Sequence, residues 1–386
     1  MNPEFHPGHA ITLLETGDAY FPALEAAIDG AKQEIHVECY IFEDDATGRR
    51  IAQALARACA RGVAVRVIID GFGSKDLPAE FVKRLRDAGI QLLVYRPKIS
   101  PWTLRKQRLR RLHRKIVVVD ARTAFIGGIN IIDDRVSSRH KTPRFDYAVR
   151  VEGPILDSIC RAVRRLWARW ARLNLQFRIH EPEMPEPVVA KCGKVRAAFV
   201  QRDNFAHRRD IEQAYLGAIK NAKHEIIIAN AYFLPGRRFR RVLLQAAQRG
   251  VRVVLLLQGR VDHFLMHYAS RALYGTFLDG GIEIFEYHLT FLHAKVAVID
   301  GRWATVGSSN IDPFSLLLAR EANVLVEDPG FAAELRAGLM RAIESGARRK
   351  AKKRWDREPL SHRFFIWICY GLARAMVGLI GHSQWN

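Results

Sequence analysis

Three segments of the chain occur twice, in the same order. GAKQEIHVECYIF at 30–42 returns as NAKHEIIIANAYF at 221–233, and RIAQALARACARGVAVRVIID at 50–70 returns as RRVLLQAAQRGVRVVLLLQG at 240–259. HRKIVVVDARTAFIGGIN at 113–130 returns without a gap as HAKVAVIDGRWATVGSSN at 293–310. Similarity kept in order over three separated segments marks an internal duplication. The fold therefore has to be assembled from two homologous halves, each completing the same unit.

Each half alternates helical and apolar segments. A helix at about 19–32, or about 210–223, leads into EIHVECYIF or EIIIANAYF. Unbroken apolar runs of this length suit strands covered on both faces. A second helix closes at Arg61-Gly62 or Arg249-Gly250, where Gly fits a C-cap, and VAVRVIID or VRVVLLL follows as a strand. A third, at about 78–89 or 264–280, precedes QLLVY or IEIFEY. This order predicts an α/β protein of two homologous sandwich lobes, each a mixed β-sheet flanked by helices. Residues 1–180 and 181–345 form the lobes, EPEMPEPV at 181–188 reads as their linker, and 346–386 form a tail.

Lys and Arg exceed Asp and Glu by 21 charges, which points to an anionic partner, nucleic acid or anionic lipid. At 49% hydrophobic and 26% charged, the chain is neither disordered throughout nor a polytopic membrane protein. Five scattered cysteines without a CxxC pair form no disulfide framework, and MNPEFHPGHAITLL does not read as a signal peptide, so a reducing cytoplasmic setting is expected. The tail joins a basic run, RRKAKKRWDR at 348–357, to a largely apolar stretch at 364–381 that contains Arg374. Its length borders on a bilayer span, but the central charge and the aromatics fit an interfacial or re-entrant anchor better. A helix packed on the body is the alternative.

One chemical constellation recurs in both halves. His113, Lys115, Asp120, Gly127, Gly128 and Asn130 match His293, Lys295, Asp300, Gly307, Ser308 and Asn310 in spacing. Strand alternation puts His113 and Lys115 on one face and Arg114 on the other. Asp120 and Asp300 fall where hairpin turns return the chain to the same surface, and read as structural turn residues more than chemical ones. Two lysines with the Asn130 and Asn310 amides, and the Ser308 hydroxyl, supply donors for charge growing on a phosphoryl group. Two imidazoles meeting at one centre can act as nucleophile and proton donor. No third His, Cys or carboxylate stands at ligand spacing, so neither a metal nor a cofactor is expected. Gly128 against Ser308, and Glu38 against Asn230 in the corresponding strand, suggest that the lobes treat substrate differently. Arg105, Lys106, Arg108, Arg110 and Arg111 precede the first motif, as a solvated face or an attractor of anionic headgroups.

The duplicated pattern resembles the HKD motif of the phospholipase D superfamily over roughly residues 10–345. VECYIF, HRKIVVVDARTAFIGGIN, FDYAVRVEGP and GSSNIDPFSLLLAREANV are most similar to bacterial cardiolipin synthases of the shorter type, without N-terminal transmembrane helices. The resemblance implies an active site at the lobe interface and phosphatidyl transfer through a phosphohistidine, with His113 as nucleophile, His293 as acid and base, and Lys115, Lys295, Asp120 and Asp300 completing the catalytic motifs. It also implies that an acid shortly after each motif orients its histidine: Asp146 after His113, and Glu321 after His293. Expected partners are anionic phospholipids at the cytoplasmic face of a bacterial inner membrane, with nucleic acid disfavoured. Hydrolysis in place of transfer, nuclease activity, and a scaffold with a decayed site are the competing readings, and the sequence carries no signal for oligomeric state.

Overall fold

The computed structural model describes residues 3–97, 110–133, 135, 143–174, 185–204, 206–261 and 263–380. The N-terminal half supplies β1 (His6–Glu15), β2 (Glu34–Cys39), β3 (Ala64–Asp70), β4 (Gln91–Tyr95), β5 (Lys115–Val119), β6 (Thr123–Gly127), β7 (Arg144–Phe145) and β8 (Tyr147–Glu152). The C-terminal half supplies β9 (Val195–Arg202), β10 (Glu225–Asn230), β11 (Arg252–Gln258), β12 (Glu283–Tyr287), β13 (Phe291–Leu292), β14 (Lys295–Ile299), β15 (Trp303–Gly307), β16 (Glu321–Glu327) and β17 (Ala347–Arg349). The linker expected at 181–188 falls partly outside the described residues.

The apolar runs become strands buried on both faces because helices cover each side of the sheet. In β10, Ile226 and Ile228 pack with Leu243, Val253 and Tyr215. Ile227 and Ala229 point the other way, to Val296, Val298 and Leu335. The same alternation in β5 sends Val117 and Val119 to a core with Ile51 and Leu55, and Ile116 and Val118 to the layer shared by both halves. Asp45 starts the helix Ala46–Ala60 by accepting the Gly48 N–H at 2.8 Å. The turn after it, and its counterpart after Arg237–Gln248, use Gly62 and Gly250 at φ 86°, a conformation that favours glycine. The helix expected over 264–280 is split into Phe264–Arg271 and Tyr274–Asp279. Ala272 and Leu273 donate to the carbonyls of Ala269 and Ser270, a tighter turn than the α-helix allows.

Among the described residues, fifteen strands form one sheet in the order β17-β12-β11-β10-β14-β15-β16-β9-β1-β8-β6-β5-β2-β3-β4. Parallel β2–β3–β4 and β10–β11–β12 lie towards the outside, and antiparallel strands lie between them. The two expected sheets are thus joined, because β1 pairs antiparallel with β9 across a register shift between His6 and His9. Each half would otherwise leave that strand edge open, and joining them removes two unpaired edges. The expected α/β class and the duplicated mixed sheet are both present.

The tail is fastened to the C-terminal half. Phe285 and Tyr287 of β12 pair with Arg349 and Ala347 of β17, and the helices Lys352–Asp356 and Leu360–Ile380 follow. Trp355, Ile366 and Ala373 enter the same core as Ile226 and Leu243. Among the described residues no helix is long and apolar enough to cross a membrane.

Candidate active site

His113 and His293 stand just before β5 and β14, at the strand ends that lie beside the C-terminal ends of β2 and β10. Ligands in open α/β sheets gather at such C-terminal ends. Two residues on, the lysines return to the same face: Lys115 Nζ donates to the His113 carbonyl at 2.5 Å, and Lys295 Nζ donates to the His293 carbonyl. Arg114 takes the opposite face. Its buried guanidinium donates to both Glu38 carboxylate oxygens, to Gln201 Oε1 at 3.2 Å and to the Ala162 carbonyl at 3.1 Å.

The strand register corrects the comparison of Glu38 with Asn230. Glu38 lies opposite Ile116, the place Ala229 holds opposite Val296, so Asn230 corresponds to Cys39. Glu38 is spent on Arg114, beneath the sheet, and is not a substrate contact. Asn230 Oδ1 accepts the Ile311 N–H at 3.2 Å, tying the end of β10 to the segment after β15.

The orienting acids are present but exchanged between lobes. His113 Nδ1–H donates to Glu321 Oε1 at 2.8 Å and is 3.0 Å from Oε2; His293 Nδ1–H donates to Asp146 Oδ2 at 2.6 Å. Each acid therefore serves the histidine of the other half, contrary to the in-lobe pairing expected. The cause is backbone pairing across the interface. The His113 N–H donates to the Arg320 carbonyl, next to Glu321, and the His293 N–H donates to the Phe145 carbonyl, next to Asp146. Short parallel pairings, Leu112 with Arg320 and β13 with β7, continue these links.

These groups share one electrostatic environment. Burial holds the His113 imidazole below its usual range, against the attraction of Glu321 and with Lys115 and Lys295 adding to the effect. Burial, Lys295, Arg144 and Lys115 hold His293 well below it. Burial brings Lys115 down to about 7 and Lys295 to about 8, although nearby carboxylates pull both upward. Burial pushes Asp146 up to about 6 against the charge of Lys295, which lies 3.6 Å away. Both imidazoles are thus biased towards the neutral form, with Nδ1 committed and Nε2 left for chemistry.

Two expected groups do other work. Asp120 and Asp300 lie at the far ends of β5 and β14, a strand length of about 16 Å from the lysines. Each carboxylate accepts three backbone N–H groups, of Lys32, Gln33 and Glu34 or of Lys223, His224 and Glu225, at 2.7 to 3.0 Å. Asp120-Ala121 and Asp300-Gly301 have φ between 49° and 59°, the conformation of a two-residue hairpin turn. These aspartates belong to the turns and are removed from the catalytic set. Ser308, expected on substrate phosphate, instead donates to Glu321 Oε2 at 2.5 Å and accepts the Ala322 N–H at 3.1 Å. Asn130 stays at the site: Oδ1 accepts the Ile41 N–H at 3.1 Å, and its buried Nδ2 has no partner among the described residues. Asn310 is also buried, and there it is the acceptor Oδ1 that is buried without a partner among them.

Gly128 explains itself once Asp146 is in view. A Cβ at Gly128 would meet the Asp146 carboxylate at 2.3 to 2.6 Å, so that acid can reach His293 only past a residue without a side chain. Tyr40 was not singled out from sequence; its ring lies edge-on to His113 at 4.7 Å, and Lys115 Nζ sits 5.2 Å from its centroid. The repeat itself held the signal, since Tyr40 faces Ala231 in the alignment. Arg105, Lys106 and Arg108 lie outside the described residues. Arg111 approaches Asp70, whose carboxylate also accepts the Leu112 N–H at 2.8 Å, so this part of the run fixes the approach to His113.

Known proteins bear out the family. A domain model described as cardiolipin synthase, PLD-like domain, matches residues 24–162 and 215–342, one copy in each half. Cardiolipin synthase B of Escherichia coli (strain K12) is 42% identical over 349 residues, covering 88% of this chain and 81% of the relative. Cardiolipin synthase A of Pseudomonas putida (strain W619) is 33% identical, covering 86% and 68%. Among solved structures, phosphatidylserine synthase of Haemophilus influenzae Rd KW20 shares the fold, with a TM-score of 0.69 at 14% identity over 97% of this chain and 96% of that one. With a matching domain in each half and relatives aligned along most of its length, the chain belongs to the cardiolipin synthase family of PLD-like proteins.

Proposed function

We propose that this protein is a phosphatidyltransferase that makes cardiolipin from phosphatidylglycerol and a second phospholipid at the cytoplasmic face of a bacterial inner membrane. The observation that carries the reading is the crossed pair: each imidazole has Nδ1 pinned to a carboxylate from the other lobe, beside a buried lysine. His113 Nε2 attacks phosphorus in line, forming a P–N bond as the bond to the headgroup glycerol oxygen breaks. His293 passes a proton to that departing oxygen. The now neutral His293 then takes the proton of the acceptor lipid's hydroxyl, whose oxygen attacks phosphorus and releases His113.

The charges suit these steps. Burial and the lysines favour neutral His113, the nucleophilic form. A phosphodiester's negative charge offsets Lys115 and Lys295 and so favours the protonated form of His293, as an acid requires. Lys115, Lys295 and the Asn130 and Asn310 amides supply the donors for the equatorial oxygens.

The test is to incubate the protein, in EDTA, with liposomes of phosphatidylglycerol and phosphatidylethanolamine and to resolve the lipids by mass spectrometry. Cardiolipin is expected, and only when His113 and His293 are intact. Phosphatidic acid alone would make the protein a hydrolase; no lipid turnover together with cleaved single-stranded DNA would make it a nuclease.

A further inference from the structure

The helix Leu360–Ile380 is inside out by the standards of a helix in water. Ile366, Cys369 and Ala373 are buried against the C-terminal half, and its His362, Arg363 and Arg374 are half-buried on that side. Arg374 lies over the Tyr370 ring at 5.8 Å, and His362 pairs with Glu358 at 2.9 Å. The outward stripe is Leu360, Phe364, Trp367, Ile368, Leu372 and Met376, spaced to fall on one helical face. Leu360 is 80% exposed, Phe364 69% and Trp367 54%. The patch continues onto the body: Phe264, itself 57% exposed, meets the Phe365 ring at 5.8 Å, and Tyr268 meets it at 5.2 Å.

We infer that this outward stripe, with Phe264, is a fixed seat that beds into the headgroup and acyl boundary of an anionic bilayer. An apolar patch of this size marks an interaction surface, and three observations name the occupant. The stripe carries no charged residue, and exposed Lys353 and Arg357 stand just ahead of it, the pairing that suits anionic headgroups. The net charge of +21 opposes a second copy of the chain on the same basic surface. From Leu360 to Met376 the stripe runs about 24 Å, a length to lie along a membrane plane, and no described helix is able to cross one. Because the helix is packed on the body through its other face, it seats the C-terminal lobe and does not tether it loosely. The inference rests on the lipid reading above, since it explains how the site meets substrate held in a bilayer.

The test compares the full chain with a Phe364→Ser, Trp367→Ser, Leu372→Ser variant. One arm is co-sedimentation with vesicles of phosphatidylglycerol and phosphatidylethanolamine, or of phosphatidylcholine alone. The second is turnover of short-chain phosphatidylglycerol dispersed below its micelle concentration. The third is hydrogen exchange of the unaltered protein with and without vesicles. Expected are binding to the anionic vesicles that the variant loses at least tenfold, unchanged turnover of dispersed substrate, and new protection confined to 360–376 and the segment around Phe264. Equal vesicle binding by the variant, or no vesicle-induced protection of the helix, overturns the seat. So does a variant that differs only by breaking a dimer seen in lipid-free solution by light scattering. If vesicles bind through the stripe while no phospholipid is turned over by the unaltered protein, the seat stands and the transferase reading fails.

Discussion

The two halves hold their histidines with the same backbone and different side chains. Around His113 the acid is Glu321, braced by the Ser308 hydroxyl, and the Tyr40 ring closes one side. Around His293 the acid is Asp146, one methylene shorter; its second oxygen takes the Tyr147 N–H at 2.8 Å, and Gly128 leaves it room. The longer acid comes with a hydroxyl, and the shorter one with a missing side chain. The duplicated scaffold fixes where a carboxylate must meet an imidazole, and each lobe reaches that point by its own pair of residues. Divergence has therefore fallen on the layer that poses the histidines. Such a difference lets two chemically equal groups take unequal roles.

The sharpest way to break the comparison is to remove the histidines one at a time. Either His113→Ala or His293→Ala should lower turnover by at least about 10⁴-fold, because the two act as a unit. They should part in the intermediate: with labelled lipid, His113→Ala forms no phosphoenzyme, whereas His293→Ala forms and retains it. The reverse pattern would exchange the roles, and near-normal turnover in either variant would dismiss a shared site. The acids come next, with losses on the order of 10²- to 10⁴-fold for Glu321→Gln and Asp146→Asn. The crossed pairing predicts which step each variant slows. Glu321→Gln should slow phosphoenzyme formation, and Asp146→Asn should let it accumulate. An in-lobe arrangement would give the opposite assignment.

That crossing marks the limit of what the sequence could disclose. The duplication, the buried strands and the glycine caps were legible because they are local or repeat along the chain. The histidines, lysines and both acids were legible as residues, through a spacing that recurs and a family pattern that matches. Their pairing was not, because distance along the chain says nothing about which lobe's edge lies nearest; the links from His113 to Arg320 and from His293 to Phe145 are tertiary. Asp120 and Asp300 were legible as turn residues even though the family pattern also counts them among its motif residues. Residues that recur in a motif can recur for the turn they make, and the partners were what sequence could not give: three converging N–H groups on each. The outward apolar stripe of the last helix reads in sequence as one apolar run, since which side packs on the body is decided by the helix Phe264–Arg271 against which it lies.

The posing residues give smaller and graded effects. Gly128→Ala places a methyl group within 2.3 to 2.6 Å of the Asp146 carboxylate, so the acid must leave His293. We expect a loss approaching that of Asp146→Asn, about 10²-fold or more. Ser308→Ala removes one hydrogen bond to Glu321 and leaves space behind it, so the loss should be about tenfold, the equivalent of roughly 1.4 kcal/mol. Steady-state kinetics on dispersed lipid would order the two. A Gly128→Ala variant milder than Ser308→Ala would mean that Asp146 has another way to reach its histidine.

The mildest probe is pH, which separates the acid of one half from the lysines of both. The profile of kcat/KM reports groups in the free enzyme. Asp146, raised to about 6, is a carboxylate above that value and a neutral acid below it, so the hold on His293 weakens as pH falls through about 6. Lys115 at about 7 and Lys295 at about 8 are charged below those values and lose their charge as pH rises through them, which weakens the attraction for phosphodiester. The two trends give a narrow bell centred between 6 and 8. In kcat, which reports the substrate complex, the alkaline limb should move upward, because the bound anion favours charged lysine. Asp146 shares the acid limb with His113, whose neutral form is the nucleophile, so Asp146→Asn should weaken that limb and move it to lower pH while the alkaline limb stays. An acid limb unchanged in that variant, or an alkaline limb in kcat/KM near the ordinary lysine value of about 10, would show that burial does not govern these charges.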